Sequence, residues 1–149
     1  MLLPSTAPRR LALVAALALT LGAVPPAVPQ PSDDALARVE AGLREADPSG
    51  VLSHAADRVE IVRFGQGGTF RRAQAVHVLR DFFRRYPPSR VVFAEQGSSD
   101  DGQTAMWRYW SDDGGAPLTV RVLHRPVDDE SWELAWIRID QRTAVRADR

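Results

Sequence analysis

Histidine is the side chain best suited to acid–base chemistry near neutral pH, and the sequence contains three of them. His54, His77 and His124 stand far apart, and none has a second histidine at a spacing typical of a metal site. His124 alternates with Leu118 and Val122 along a predicted strand, so its ring is expected to point inward near the end of that strand. A position on the rim of the fold is the alternative for His124. His54 and His77 are predicted to lie at the surface.

Glu133 and Arg63 are charged side chains that strand alternation places on apolar faces. Glu133 alternates with Ala135 and Ile137, and burial among apolar side chains can turn a carboxylate into a general base. Arg63 continues the face of Ile61, where a guanidinium group can bind an anion. The alternatives are a carboxylate that reaches water at the edge of the sheet and an arginine that closes the fold through an ion pair.

Tyr109 shares a strand face with Trp107, where an aromatic ring can line a ligand pocket or fill a core. The filling of a core is the alternative for both rings. Tyr109 completes the set of candidate ligand-binding residues, which comprises Arg63, Tyr109, His124 and Glu133.

The sequence lacks the residue constellations that catalysis needs. Ser98 and Ser99 stand in a predicted turn without the GxSxG elbow that exposes a nucleophile, and the absence of cysteine excludes thiol nucleophiles and Cys-ligated metals. No catalytic residue, metal site or cofactor is therefore predicted. The chain is expected to be a non-catalytic interaction module or a module that binds a small apolar ligand. The alternative is a pocket enzyme of hydrolase, isomerase or dehydratase type that uses a single acid–base residue.

Charge and the N-terminal segment bear on partners and location. The formal net charge is zero and the basic residues, all arginine, are scattered among as many acids, which argues against nucleic acid as a partner.

Residues 1–23 combine an arginine pair with an apolar run too short to span a bilayer, a pattern that predicts a signal peptide for export to the periplasm or beyond. An uncleaved membrane anchor is the alternative. Residues 24–32 read as a proline-rich linker, 33–142 as one domain and 143–149 as a polar tail.

A helix between Thr69 and Pro88 is the element expected to position the candidate residues. Its apolar side chains recur every three or four positions and form one buried stripe. Glycines mark a turn before the helix, Thr69 is expected to cap it, and the two prolines at its end stop it. The predicted stripe comprises Ala75, Val78, Leu79, Phe82, Phe83 and Tyr86.

Two further helices and five strands are predicted around this helix. Asp33 is predicted to cap the first helix, and Asp47 to cap a short second helix that runs to about Ala55. The last four strands are separated by short turns rich in Asp, Gly and Ser, which is typical of an antiparallel meander. The predicted strands span residues 58–64, 90–96, 104–110, 118–125 and 132–140.

The element order and three stretches of sequence resemble a known family. The stretches are VEIVRFGQGGTFRRAQAVHVLRDFFRRYPPS, FAEQGSSDDG and WIRI. They are similar to the bacterial family called domain of unknown function 4783, in the nuclear-transport-factor-2-like superfamily. The resemblance implies an α+β cone in which N-terminal helices and one long helix pack on a curved antiparallel sheet. It also implies a secreted setting but no known activity, although some relatives in the superfamily place a His, Asp or Tyr in a pocket at the open end of the cone.

Apolar side chains occupy both faces of the predicted sheet, although one helix covers a single face. In the last strand the resemblance places Ile137 and Ile139 inside, and hence Trp132, Leu134 and Trp136 outside. Large aromatic side chains on the outer face predict a homodimer formed through it. The alternative is that the N-terminal helices or the C-terminal tail of the same chain cover that face.

Overall fold

The structure is a computed structural model that describes residues 33–141. The predicted signal peptide, the proline-rich linker and the polar tail lie outside these residues. Within the described part of the chain, no helix is long and apolar enough to cross a membrane.

Two helices open the described chain, α1 (Asp33–Glu45) and α2 (Pro48–Val51). Asp47 caps α2 as predicted, because its side chain accepts a hydrogen bond from the Ser49 N–H at 3.1 Å. Helix α2 ends earlier than predicted because Ala55 already begins a strand.

The long helix α3 (Arg72–Arg85) lies against the inner face of the sheet. Leu79, Phe82 and Phe83 are buried, as the apolar stripe predicts, and half-buried Tyr86 extends the stripe past the last turn. The helix ends before the diproline, also as predicted.

Helix α3 begins later than predicted because the residues before it form a strand, β2 (Gln66–Arg71). This strand pairs antiparallel with β1 (Ala55–Arg63), and Gly67 allows the close pairing since a Cβ there would overlap the Ile61 carbonyl. Thr69 lies in β2, so its predicted role as the helix cap is wrong.

Six strands form one sheet in the order β2-β1-β6-β5-β4-β3. Strands β3 to β6 form the predicted antiparallel meander, and β1 joins it by parallel pairing with β6. The turn predicted at residues 97–102 contains fewer residues than expected, because the pairing of β3 with β4 continues into this range. The remaining strands are β3 (Pro88–Ser99), β4 (Gly102–Ser111), β5 (Leu118–Pro126) and β6 (Trp132–Gln141).

The hydrophobic core fills the space between the inner face of the sheet and the helices. Helix α1 contacts β3, and α3 contacts β1 and β2. The indole N–H of Trp107 on β4 donates to Glu40 Oε2 at 3.0 Å, which joins that strand to α1. The largest fully buried side chains include Leu43, Leu52, Ile61, Leu79, Phe82, Trp107, Tyr109, Leu134, Ile137 and Ile139.

An irregularity in β6 changes which side chains face the core. Leu123 pairs with Trp136 while the next residue, His124, pairs with Leu134, so Ala135 is an extra residue in β6. Because one extra residue reverses the alternation, Leu134 turns to the inner face and Trp136 stays on the outer one.

The predicted outer position of Leu134 is therefore wrong, since the side chain is fully buried. Trp132 lies two residues earlier and falls on the same side as Leu134, so its predicted outer position is wrong as well. The inner positions predicted for Ile137 and Ile139 are confirmed by their burial.

Candidate functional site

The interior of the cone is filled by aromatic rings where α3 meets the sheet. The ring centroid of Tyr109 lies 5.5 Å from that of Phe82 and 6.5 Å from that of Phe83. Trp107 and Tyr109 are both 0% exposed. This region is packed as a protein core and leaves the rings no open face for a ligand.

Tyr109 is held in this core by a hydrogen bond from its hydroxyl to the Tyr86 carbonyl oxygen. Desolvation by burial, and secondly the negative charge of Asp112, raise the pKa of Tyr109 far above its usual value. The hydroxyl therefore remains a neutral donor that fixes the chain at the end of α3.

His124 points inward as its strand alternation predicts, and only 1% of the residue is exposed. Neither ring nitrogen has a hydrogen-bond partner among the described residues, and the same is true of the Trp132 indole N–H. Desolvation by burial, with a smaller contribution from the charge of His54, lowers the pKa of His124 to about 4. The imidazole is neutral at pH 7 and is closed off from solvent.

Glu133 does not share the face of Ile137, because the extra residue Ala135 lies between them. Its carboxylate instead pairs with Arg125, with Nη2 and Oε1 separated by 3.2 Å. The predicted apolar surroundings of Glu133 are therefore wrong, and the pair lies on the outer side of the sheet.

Arg63 lines a cavity of about 250 Å³ at the end of α3, beside the turn between β1 and β2. We call this cavity the mouth pocket. The Arg63 Nη1 donates to the Val78 carbonyl oxygen at 3.4 Å, which ties β1 to the helix. The mouth pocket is lined by Arg63, Phe64, Gln66, Phe82, Arg85 and Tyr86.

The four candidate residues thus do not form one site. Arg63 lines the mouth pocket together with Tyr86, and the Tyr109 hydroxyl donates a hydrogen bond to the Tyr86 carbonyl oxygen. His124 lies toward the opposite end of its strand, and Glu133 lies on the other face of the sheet. Over residues 33–141, no three or more His, Cys, Asp or Glu side chains are grouped so that they could hold a metal ion.

The side of the sheet turned away from α1 and α3 combines exposed arginines with apolar groups that are half-buried or buried, and we call it the outer face. The Arg90 guanidinium lies 4.9 Å from the Trp110 ring centroid, and that of Arg138 lies 4.6 Å from the Trp136 centroid. Such stacking stabilises an arginine without neutralising its charge. The outer face includes Arg90, Met106, Arg108, Trp110, Arg121, Leu123, Arg125, Trp136 and Arg138, together with the acidic residues Glu60, Glu133 and Asp140.

Two of these arginines, Arg121 and Arg138, are directly paired across β5 and β6. Arg121 contacts Met106, with Nη2 and Sδ separated by 3.7 Å, and neither arginine has an ion pair with a described residue. Like charges directly opposite on neighbouring strands destabilise a sheet. The outer face therefore offers positive charge and flat apolar surface at its centre.

The sequence similarity of the chain agrees with this architecture. The family model described as Domain of unknown function (DUF4783) matches residues 36–140. The chain belongs to the DUF4783 family. The resemblance inferred from its sequence stretches is thereby confirmed. No curated protein is significantly similar to this DUF4783 chain in sequence.

Solved structures of several bacterial proteins are similar to this DUF4783 domain. A DUF4783 protein from Bacteroides ovatus has 19% identity and a TM-score of 0.63, over 70% of this chain and 93% of that chain. One from Bacteroides uniformis has 16% identity and a TM-score of 0.62, over 70% and 94% of the two chains. An NTF2-like protein of unknown function from Shewanella baltica has 13% identity and a TM-score of 0.53, over 71% and 86%. These likenesses show that the fold is α+β and nuclear-transport-factor-2-like.

Some side chains of the DUF4783 domain line a pocket or form a surface that the sequence did not predict. Phe64 is one, because the missed strand β2 makes it part of a tight hairpin turn. The stacking of Arg90 on Trp110 depends on the pairing register of β3 with β4, which alternation within one strand does not specify. The sequence signal for this hairpin turn was the Phe-Gly pair at its centre, which stands between two strand-like stretches.

Proposed function

We propose that this DUF4783 domain is an exported, non-catalytic interaction domain that associates with a second copy of itself through the outer face. The single observation that carries the proposal is the combination of exposed arginines with half-buried tryptophan and methionine on that face, described above. Arginine, methionine and aromatic residues are the types enriched at protein interfaces.

The size of the outer face suits a specific interface. Six strands span about 24 Å across a sheet, and a ten-residue strand is about 33 Å long, so the face is on the order of 800 Å². One partner contributes about that area to an interface of standard size. Trp110 and Trp136 would lie within it, whereas the core burial of Leu134 makes the face less apolar than the sequence suggested.

A two-fold axis would also relieve the charge on the outer face. Arg121 and Arg138 oppose each other within one copy, but Glu60 and Asp140 are acidic groups on the same side of the sheet. In an isologous dimer each copy presents these acids to the partner's arginines. A second copy can therefore supply the carboxylates that the paired arginines lack among the described residues.

The alternative of a pocket enzyme has less support. Such an enzyme needs an acid–base side chain that a substrate can reach beside an open cavity. Tyr109 and His124 face the interior, but they are 0% and 1% exposed. The packed cone therefore favours an interaction domain over a catalytic one.

Replacement of Trp136 by Arg tests the proposed dimer. Trp136 is half-buried on the outer face, so Trp136→Arg should convert the dimer to a monomer that keeps its circular dichroism spectrum and still unfolds cooperatively, at a lower midpoint because the stabilisation by association is lost. Arg84→Glu is the control, a charge change on the solvent-exposed side of α3, where the Arg84 side chain is 72% exposed. This variant should leave the dimer intact. Sedimentation velocity and chemical denaturation of both variants provide the measurement. A wild-type monomer would contradict the proposal, and unfolding of Trp136→Arg would indicate cover by the same chain.

A further inference from the structure

The turn between β1 and β2 holds an aromatic residue in a backbone conformation that favours glycine. Phe64 has φ 53° and Gly65 has φ 78°, and the turn joins the paired residues Arg63 and Gln66. Two positive φ values in a two-residue hairpin are typical of a type I′ turn, whose first position usually carries Asn, Asp or Gly. A bulky residue in this region of φ is strained, and strain of this kind is concentrated at ligand sites.

The strained turn makes the Phe64 ring a wall of the mouth pocket. Its centroid lies 5.5 Å from that of Tyr86, and the Tyr86 centroid lies 5.4 Å from that of Phe82. Although these rings contact one another, Phe64 remains 38% exposed. The pocket of about 250 Å³ therefore has a flat apolar side with an aromatic surface still open to solvent.

The polar side of the pocket is formed by the guanidinium groups of Arg63 and Arg85, and none of the described residues that line the pocket carries a carboxylate. Arg85 pairs with Asp81 at 3.4 Å on the exposed side of the helix. Arg63 is partly buried and makes one long hydrogen bond, to the Val78 carbonyl, without an ion pair to any described residue. A guanidinium group has five N–H donors, so most of those on Arg63 remain available to an anion.

We propose that the mouth pocket binds a small carboxylate that carries a flat apolar ring. The carboxylate lies against Arg63 and Arg85, which match the planar geometry of a carboxylate better than an ammonium group would. The ring lies against Phe64 and Tyr86. This site is on the inner side of the sheet, so it is separate from the outer face, and neither proposal depends on the other.

Three small molecules test separately whether the pocket recognises the negative charge and whether it recognises the ring. Benzoate combines the ring and the charge, benzamide keeps the ring without the charge, and acetate keeps the charge without the ring. Titration of the full mature chain, followed by amide NMR shifts, should give benzoate a dissociation constant of about 1 mM, as expected for so small a ligand. Benzamide and acetate should each bind about tenfold more weakly. Equal affinity for benzoate and benzamide, or no benzoate binding, would overturn the proposal.

Variants at the pocket locate the site. Arg63→Gln should weaken benzoate binding about tenfold, since it removes a charged donor. Arg84→Gln is the matched control, because Arg84 neighbours Arg85 but does not line the pocket, and it should leave benzoate affinity unchanged. Unchanged affinity in Arg63→Gln, or shifts confined to other parts of the domain, would contradict the assignment.

Phe64→Asn gives a second test that does not depend on how well Arg63→Gln folds. Asn is favoured at this turn position, so the variant should unfold at a higher temperature than the wild type. It also removes the aromatic wall, so benzoate should bind several-fold more weakly. Higher stability together with unchanged benzoate affinity would overturn the proposed role of Phe64, because the aromatic residue would then have no binding effect to offset its strain.

Discussion

His124 is a titratable side chain buried without hydrogen-bond partners among the described residues. Its pKa is lowered to about 4 in the folded domain, against 6.5 for a free imidazole. Between these values the unfolded chain binds one proton more than the folded domain does, so folding stability falls as pH decreases from 6.5 to 4. The loss is on the order of 3 kcal/mol over this window.

His124→Leu isolates this effect. The apolar replacement cannot titrate, so urea unfolding between pH 6.5 and 4 should show a shallower loss of stability than the wild type does. At pH 7 the variant should be as stable as the wild type or more so, because it removes two buried nitrogens that have no hydrogen-bond partner within residues 33–141. An identical pH dependence in the two proteins would show that His124 is not the group responsible.

Glu133 shows the limit of sequence reasoning at the scale of one residue. Alternation along β6 predicted an inward carboxylate, and alternation along β5 predicted an inward His124. The second prediction is confirmed, and the first is wrong because Ala135 is an extra residue in the pairing of β6 with β5. A bulge depends on both strands, so the sequence of one strand does not reveal it.

Helix α3 is the element whose position was best predicted, because a long stripe of period 3.6 followed by two prolines has few alternative interpretations. Strand β2 was missed since its glycines read as a turn, and its pairing with β1 gives those residues their extended form. The local sequence was enough to predict α3, whereas β2 depends on its pairing with another strand.

Two substitutions in α3 test its orientation. Phe82 is 1% exposed, so Phe82→Ala should cost about 3–5 kcal/mol of unfolding free energy. The Arg84 side chain is 72% exposed, and Arg84→Ala should change the unfolding free energy by no more than about 0.5 kcal/mol. Chemical denaturation of the two variants measures both values, and equal losses would contradict the observed face of the helix.

At the scale of the whole molecule, the fold class and family were predictable from the sequence, whereas the composition of the outer face was not. The sequence predicted Trp132, Leu134 and Trp136 on the outer face, and of these three Trp136 alone lies there. The stacking of Arg90 on Trp110 depends on the pairing of β3 with β4, whereas Arg138 and Trp136 lie two residues apart on β6. The resulting face is mixed in character, which favours a specific interface over general apolar burial.

Export is a second property of the whole chain. An arginine pair, a short apolar run and small residues in 1–23 predict removal of a signal peptide, with a mature start between Val24 and Ser32. Mass spectrometry of the protein purified from its native cells should find that shortened chain. A cytosolic species that retains Met1 would refute the prediction.

Covalent footprinting of tryptophan tests most directly whether two copies meet through the outer face. The mature wild-type chain is labelled over a range of concentrations that crosses the dimer dissociation constant, and each tryptophan is quantified by mass spectrometry. Labelling of Trp110 and Trp136 should fall as the concentration rises, while buried Trp107 stays protected throughout. Labelling of Trp110 and Trp136 that does not change while the chain dimerises would place the interface elsewhere and contradict the account.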